Sequence, residues 1–228
     1  MLTLERLRVE QGSFVLTAND TLQTGFVTIV GPSGSGKSTL LSAIAGFTPL
    51  ANGQIGWNGE DISKHSPSER PVSMLFQDNN LFPHLTIGQN VGLAVEPKVK
   101  ISASTREKVE AVLNSVGLLG VFDRKPARLS GGQQSRAALA RVLLGQRPIV
   151  LLDEPFSALG PGLRHEMLDL VKTVLNNKLV IMVTHDPAEA QRMGGQTIYV
   201  EDGVAEPAIA TDELFAAPSE KLKNYLGN

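Results

Sequence analysis

No part of this chain restricts its fold more than residues 31–38, which read Gly-Pro-Ser-Gly-Ser-Gly-Lys-Ser. A short β-branched stretch, residues 27–30, precedes them, and an apolar stretch that stops at Gly46 follows them. The pattern G-x-x-x-x-G-K-[ST] in that context is typical of a loop that binds phosphate through its backbone N–H groups. Glycines allow the close approach, and the following helix adds partial positive charge. The segment therefore predicts an α/β fold with a phosphate-binding loop, the P-loop, between a strand and a helix.

Three further short apolar runs predict buried strands, at residues 72–76, 149–152 and 179–183. The runs are continuous rather than alternating, which favours a parallel sheet that is covered on both faces. Residues 78–134 carry helix and turn signals without a convincing buried strand, so we expect a helical lobe inserted into the α/β core. Two amphipathic helices are predicted from apolar residues at helical spacing, namely Val109, Val112, Leu113 and Val116 in one and Leu163, Met167, Leu170, Val171 and Val174 in the other.

The apolar run at residues 149–152 ends in two carboxylates, Asp153 and Glu154. A buried strand would deliver both to the carboxyl edge of the sheet, where α/β folds bind ligands. With a P-loop upstream, Asp153 is expected to hold Mg²⁺, directly or through water, and Glu154 to orient and deprotonate an attacking water. In the P-loop, Lys37 is expected to reach the β- and γ-phosphates of a nucleotide, and the Ser38 hydroxyl to ligate Mg²⁺.

A third motif, Leu-Ser-Gly-Gly-Gln at residues 129–133, precedes a helix predicted from about Gln133 to Leu144. Ser130 is a suitable N-cap, and the two glycines allow an anion to approach the backbone. With the three motifs in this order, the chain resembles the ATP-binding subunits of ABC transporters over essentially its whole length. Further markers agree with the resemblance: Gln77 in Phe-Gln-Asp-Asn-Asn, His185 in Val-Thr-His-Asp, Ser-Ala-Leu-Gly at residues 157–160, and Asp-Gly followed by Thr-Asp-Glu-Leu-Phe after residue 201.

The resemblance implies a head-to-tail pair of subunits, with each ATP between the P-loop of one subunit and the 129–133 motif of the other. Ser130 and Gly132 would then contact the γ-phosphate in trans, and His185 would contact it as well. Gln77 would sense Mg²⁺ and the attacking water and pass movement to a membrane partner. The expected catalytic residues are Glu154, His185 and Gln77, and the expected Mg²⁺ residues are Ser38, Gln77 and Asp153. The expected ATP-binding residues are Gly31, Pro32, Ser33, Gly34, Ser35, Gly36, Lys37, Ser38, Thr39, Ser130, Gly131, Gly132, Gln133 and Phe14.

Two positions depart from the family's pattern. Gly160 stands where the family usually has an aspartate that helps to couple the two ATP sites. The resemblance therefore leaves open whether the two sites are coupled in the usual way. The aromatic residue that stacks on adenine is expected near Gln11 and Gly12, but the nearest aromatic residue is Phe14. Phe14 therefore has two interpretations, an adenine platform or a buried strand residue.

Composition excludes several functional classes. The chain has 21 Lys and Arg against 23 Asp and Glu, a net charge of −2, so no basic field points to nucleic acid. Cysteine is absent, which removes disulfides, thiolate metal sites and thiol nucleophiles. The N-terminus shows no secretory signal, and no apolar run approaches the roughly 20 residues that span a bilayer. We therefore expect a soluble chain whose membrane role comes through a partner.

These observations favour a single ABC ATP-binding domain over residues 1–228. It would have a P-loop ATPase core with an N-terminal antiparallel β part, at about 1–77 and 135–228, and a helical lobe at about 78–134. The stretch at residues 70–82 and the short length most resemble the ATPase subunits of bacterial thiamine importers. Importers of another small solute or anion, a soluble ABC ATPase outside transport, and a module that binds ATP without turnover are the alternatives.

The same resemblance implies the partners and the location. These are a second ATPase subunit, integral-membrane permease subunits and, indirectly, a periplasmic solute-binding protein, at the cytoplasmic face of the bacterial inner membrane. The surface around Gln77 to Leu85 is predicted to dock the permease, because Leu81 and Phe82 place an apolar pair beside Gln77. The alternative is that Leu81 and Phe82 belong to the core.

Overall fold

The computed structural model describes residues 1–98 and 100–227, which form two compact units. The first comprises Met1–Val72 and Asn177–Asn228, and the second comprises Ser73–Asn176. The predicted helical lobe at 78–134 lies within the second unit, together with the strand and helix that follow it. The division of the chain into a core and an inserted lobe stays a prediction.

Strands and helices alternate through most of the described chain. The strands are β1 (Leu2–Gln11), β2 (Phe14–Leu22), β3 (Gly25–Val30), β4 (Asn52–Trp57), β5 (Glu60–Asp61), β6 (Val72–Leu75), β7 (Ile149–Asp153), β8 (Leu179–Val183), β9 (Gln196–Glu201), β10 (Val204–Ala205) and β11 (Ile209–Ala210). The α-helices are α1 (Lys37–Ala45), α2 (Ile87–Gly92), α3 (Ala103–Ser115), α4 (Gly131–Leu144), α5 (Pro161–Val174), α6 (Pro187–Met193), α7 (Thr211–Ala216) and α8 (Glu220–Leu226). A short 3₁₀ turn spans Pro126–Arg128.

The first unit contains a mixed sheet in the order β5-β4-β1-β2-β10-β9-β3-β8. Its N-terminal half is antiparallel, because β1 pairs with β2 and β4, and β4 pairs with β5. The other half includes parallel pairs, in which β3 lies between β8 and β9. The predicted α/β class with an N-terminal antiparallel β part is confirmed.

The parallel strands are apolar because both of their faces are covered. Every residue of β8 is buried, and Val27, Ile29 and Val30 of β3 are buried as well. Helix α1 packs against β8, and α6 packs against β3. Continuous apolar runs therefore predicted these strands correctly, since no face of either strand is left for polar side chains.

Helix α1 is bounded by two glycines in the left-handed region, Gly36 with φ 110° and Gly46 with φ 88°. The predicted helix that stops at Gly46 is thus confirmed. Just beyond α1, the buried guanidinium of Arg70 donates to the carbonyls of Ala43 and Ile44, at 2.7 and 2.8 Å. Both carbonyls lie in the last turn of the helix, where Ala43 O also accepts from the Gly46 N–H at 3.1 Å, so Arg70 serves as an additional, external cap. Burial lowers the pKa of Arg70.

The second unit is built around α4, which packs against α2, α3 and α5. Helix α3 buries Val109 and Leu113, and Val116 is buried at its end, as the predicted stripe requires, while Val112 is only half-buried. The stripe predicted for α5 holds for Met167 and Val171 but fails at its start.

The exception in α5 is Leu163 in the first turn of the helix, which is 39% exposed. Within residues 1–98 and 100–227, no helix combines the length and the apolar character needed to cross a bilayer.

Candidate functional site

The P-loop in the first unit depends on glycines with positive φ. Gly31, Gly34 and Gly36 have φ of 148°, 77° and 110°, which side-chain-bearing residues rarely adopt. A Cβ on Gly31 would also lie 2.0 Å from the carbonyl oxygen of Val200. The loop can follow its path only with glycine at this position, because the neighbouring strand leaves no space for a methyl group.

Lys37 crosses the inside of this loop. Its side chain is buried, and Nζ donates to the carbonyl oxygens of Gly31 and Pro32, each at 2.7 Å. A buried ammonium needs such oxygen partners, because its desolvation is costly. The geometry keeps a positive charge directly over the loop backbone, and Ser38 and Thr39 follow Lys37 in the first turn of α1.

The loop also contains a buried polar atom that the described residues leave unsatisfied. Ser35 is 5% exposed, and its hydroxyl makes no hydrogen bond within residues 1–98 and 100–227. A cradle of glycines with a buried ammonium and an unsatisfied hydroxyl fits an anion rich in acceptor oxygens, such as a phosphate chain. The residues present therefore suit the phosphate chain of a nucleotide.

A cavity of about 510 Å³ opens beside the P-loop. Its lining includes the start of β2, the loop itself and the end of β9, in Ser13, Phe14, Val15, Pro32, Ser33, Gly34, Ser35, Glu201 and Asp202. A volume of roughly 300–1,000 Å³ is usual for small-molecule sites. Phe14 is half-buried, and a Cβ on Gly36 would lie 2.8 Å from its Cζ. Phe14 thus packs on the P-loop and lines the cavity, which leaves its expected contact with adenine a prediction.

His185 lies next to the P-loop strand because β8 runs parallel to β3, with Val183 opposite Ile29. The backbone N–H of Thr184 donates to the carbonyl of Ile29 at 3.1 Å, which extends this pairing toward His185. The His185 residue is exposed. The first unit therefore brings His185 to the same edge of the sheet as the P-loop, as the motif order predicts.

In the second unit, residues 129–133 form the N-terminus of α4. The Ser130 hydroxyl accepts from the Gln133 backbone N–H at 3.3 Å, and the Gln133 side-chain oxygen accepts from the Ser130 N–H at 3.0 Å. This capping box starts the helix at Gly131, earlier than the predicted start near Gln133. Ser130 and Gly131 are exposed, whereas Gly132 is buried, and a Cβ there would lie 2.5 Å from Leu163.

The two acidic residues lie at the end of β7, also in the second unit. Asp153 is the last residue of the strand, and Glu154 follows it with φ 43°. A left-handed backbone at a non-glycine residue is costly and is concentrated at functional positions. Gln77 is exposed, and its amide donates to the Ser157 hydroxyl at 3.4 Å, so the structure brings it close to the segment that follows Glu154.

The structure adds a residue that sequence motifs did not identify. Arg141 of α4 donates to the carbonyl oxygens of Asn80 and Asn79, at 2.7 and 2.9 Å, three and two residues after Gln77. Burial lowers the pKa of Arg141. Both asparagines have positive φ, 59° at Asn79 and 45° at Asn80. The paired asparagines were a possible signal for this turn, but the arginine was not, because its partners are backbone carbonyls.

Phe82 is 47% exposed, which confirms the expected exposure of this side chain and excludes a core position. Its neighbour Leu81 is half-buried. The fully buried Asn90 holds the loop in this shape, because its side chain accepts from the Phe82 N–H at 2.7 Å and donates to the carbonyls of Phe82 and Thr86. The docking role of this surface stays a prediction.

Comparison with known proteins gives consistent matches. The profile of a family described as ABC transporter matches residues 19–157. A thiamine import ATP-binding protein, ThiQ, of Ruegeria sp. (strain TM1040) is 53% identical, and the match covers 100% of both chains. A ThiQ of Brucella suis is 45% identical over 98% of this chain and 95% of its own length.

A solved structure is also similar. It is described as the dimeric, post-hydrolysis state of the ATP-binding cassette MJ0796 bound to ADP and Pi. Its TM-score is 0.77 at 30% identity, and the match covers 92% of this chain and 99% of that one. The matches span both units, so the similarity is not confined to the P-loop motif.

Proposed function

Because this chain belongs to the ABC transporter family, as an ATP-binding subunit, we propose that it drives thiamine import in a bacterium by hydrolysing ATP. The observation that carries the proposal is the P-loop. Its glycine cradle, the buried Lys37 ammonium and the unsatisfied Ser35 hydroxyl together suit a phosphate chain. Within this loop, Lys37 neutralises the β- and γ-phosphates, and the N–H groups at the start of α1 bind their oxygens.

The proposed catalytic roles are supported by the positions of the acidic and polar residues. Glu154 holds and deprotonates the attacking water, because it directly follows the strand end that carries Asp153. Asp153, Ser38 and Gln77 are the residues that would hold Mg²⁺, and such a cation would supply charge neutralisation at the phosphates. His185 contacts the γ-phosphate from the edge of β8.

Each site is proposed to be completed by a second copy of the chain. Ser130 is exposed at the N-terminus of α4, where the capping box fixes its hydroxyl and the helix supplies partial positive charge. Ser130, Gly131, Gly132 and Gln133 would meet the γ-phosphate held by the partner's P-loop. The similar solved structure is described as dimeric, which supports this arrangement.

We further propose that the pair of subunits binds a permease at the cytoplasmic face of the inner membrane. The exposed Phe82 ring and the adjoining Leu81 offer an apolar surface beside Gln77. Closure of the nucleotide site would reach the permease through Gln77. Thiamine itself would contact the permease and its receptor rather than this chain, so the substrate assignment rests on the relatives named ThiQ.

The test is ATP hydrolysis by the assembled transporter. The chain is co-expressed with its permease, reconstituted in proteoliposomes and assayed with the periplasmic receptor, with and without thiamine. We expect thiamine-loaded receptor to stimulate hydrolysis, and Glu154→Gln to abolish the stimulated rate. Stimulation by another solute and not by thiamine would overturn the substrate while leaving the transport ATPase intact.

A further inference from the structure

The C-terminal segment of the chain packs beneath the P-loop strand. Helices α7 and α8 contribute Leu214 and Leu222 to a buried cluster with Val30, Ala190 and Tyr199. Val30 is the last residue of β3 and immediately precedes Gly31 of the P-loop. Phe215, Tyr225 and Leu226 pack against the same cluster. The last helix is therefore part of the support for the nucleotide-binding edge and not a loose appendage.

Tyr225 of α8 reaches the loop that carries His185. Its hydroxyl donates to the backbone carbonyl of His185 at 2.8 Å. The neighbouring residues in this loop are fixed by other contacts. The Thr184 hydroxyl bonds the Glu189 carboxylate of α6, and the backbone N–H of Asp186 donates to the Thr184 hydroxyl at 3.0 Å.

Taken together, these bonds hold one peptide group from both of its polar sides. The peptide between His185 and Asp186 presents its carbonyl to Tyr225 and its N–H to Thr184. The next residue, Pro187, has a fixed φ and begins α6. Rotation of this peptide would displace the His185 side chain. Tyr225 is the residue of the C-terminal helix α8 that restrains this rotation.

We propose that Tyr225 is a positioning residue for His185, through which α8 fixes the side chain that meets the γ-phosphate. The inference rests on the proposed function, in which His185 makes that contact. Misplacing a catalytic contact by about 1 Å costs up to roughly 10²-fold in rate. Loss of the Tyr225 hydroxyl frees only one end of the peptide, so a fall in kcat of about tenfold is expected.

The test replaces the hydroxyl and retains the ring. Tyr225→Phe keeps the packing against the cluster, and Tyr199→Phe is its matched control. Tyr199 belongs to the same cluster and its ring lies 6.1 Å from that of Tyr225, but the acceptors for its one hydroxyl proton are the Glu201 carboxylate at 3.2 Å and the Lys221 carbonyl at 3.4 Å rather than the His185 carbonyl. We expect Tyr225→Phe to lower kcat about tenfold with the KM for ATP unchanged, and Tyr199→Phe to stay within about twofold of wild type.

A second measurement does not depend on activity. Hydrogen exchange at the Asp186 amide should be faster in Tyr225→Phe than in wild type or Tyr199→Phe, because the peptide loses one of its two restraints. Equal exchange in all three proteins would overturn the proposal. So would a fall in kcat of the same size in both tyrosine variants, since that would indicate a general loss of packing.

His185→Ala separates this proposal from the function on which it rests. If His185→Ala keeps the wild-type rate, the assignment of His185 to the γ-phosphate is wrong. If His185→Ala loses activity while Tyr225→Phe hydrolyses ATP normally, only the role of Tyr225 is wrong. In the His185→Ala background, Tyr225→Phe should have no further effect on the residual rate.

Discussion

At the scale of single residues, Glu154 combines a carboxylate with an unfavourable backbone conformation. Its φ of 43° is one that β-strand and helix residues avoid, and it directly follows Asp153 at the end of a buried strand. Such strain of about 1–3 kcal/mol persists only where the surroundings impose it. The conformation ends β7 at Asp153, and Glu154 begins the segment that follows the strand.

Glu154→Gln should therefore retain ATP binding and lose at least roughly 10²-fold in turnover, because the amide cannot accept the proton of the attacking water. Equilibrium dialysis measures ATP binding, and phosphate release measures turnover. Glu60→Gln, an exposed carboxylate in β5, is the control and should hydrolyse ATP normally. Undiminished turnover in Glu154→Gln would show that another group is the base.

At the scale of elements, the sequence predicted what short-range chemistry determines. The strands β3, β7 and β8 were predicted from apolar runs. The end of α1 was predicted from Gly46, which adopts a left-handed conformation there. Capping explains the error at α4, where the box formed by Ser130 and Gln133 admits Gly131 and Gly132 into the helix despite their poor propensity. Local patterns are reliable where the interaction that ends an element lies within a few residues.

The interactions that the sequence did not predict are long-range bonds to backbone carbonyls. Arg70 binds four carbonyls, two of them 26 and 27 residues away. Arg141 binds two carbonyls over 61 and 62 residues, and Tyr225 binds one over 40 residues. Every residue has a backbone carbonyl. The residue types therefore do not indicate which carbonyl a distant side chain will bind. Lys37, Glu154 and His185 could be singled out from the sequence because the roles expected of them demand particular chemical groups in a fixed order.

Arg70→Met tests the external cap of α1. Methionine keeps much of the buried volume but removes the donor that binds the carbonyls of Ala43, Ile44, Ser63 and His65, so unfolding should become easier by about 2–4 kcal/mol. Urea denaturation gives the free energy of unfolding. Arg8→Met removes an exposed guanidinium whose ion pair is with Glu10, and it should cost less than about 1 kcal/mol. Equal effects of the two substitutions would show that the bonds to α1 contribute nothing specific.

At the scale of the whole molecule, the proposed site is divided between chains, because Ser130 and Gly132 are expected to act on the nucleotide of a partner. ATPase activity per subunit should then rise with protein concentration. A mixture of Lys37→Ala with Ser130→Arg subunits should leave at most one competent site in each heterodimer, whereas either variant alone has none. Rates across a dilution series, with the mass of the species measured by light scattering, provide the test. A monomer with concentration-independent activity would contradict the division.

Docking to a permease also belongs to this scale, and Phe82 is the residue on which it can be decided. Its ring is 47% exposed, and the buried Asn90 holds its backbone in place, so Phe82→Asp should not disturb the fold. The isolated subunit should keep its ATPase activity within a few-fold, while solute uptake by reconstituted transporter is lost, because a charge would enter an apolar contact. Leu119→Asp is the control, since Leu119 is 75% exposed in the same unit but lies away from Gln77 in the sequence. Normal uptake by Phe82→Asp would place the docking surface elsewhere, and equal loss in both variants would indicate a nonspecific effect of the added charge.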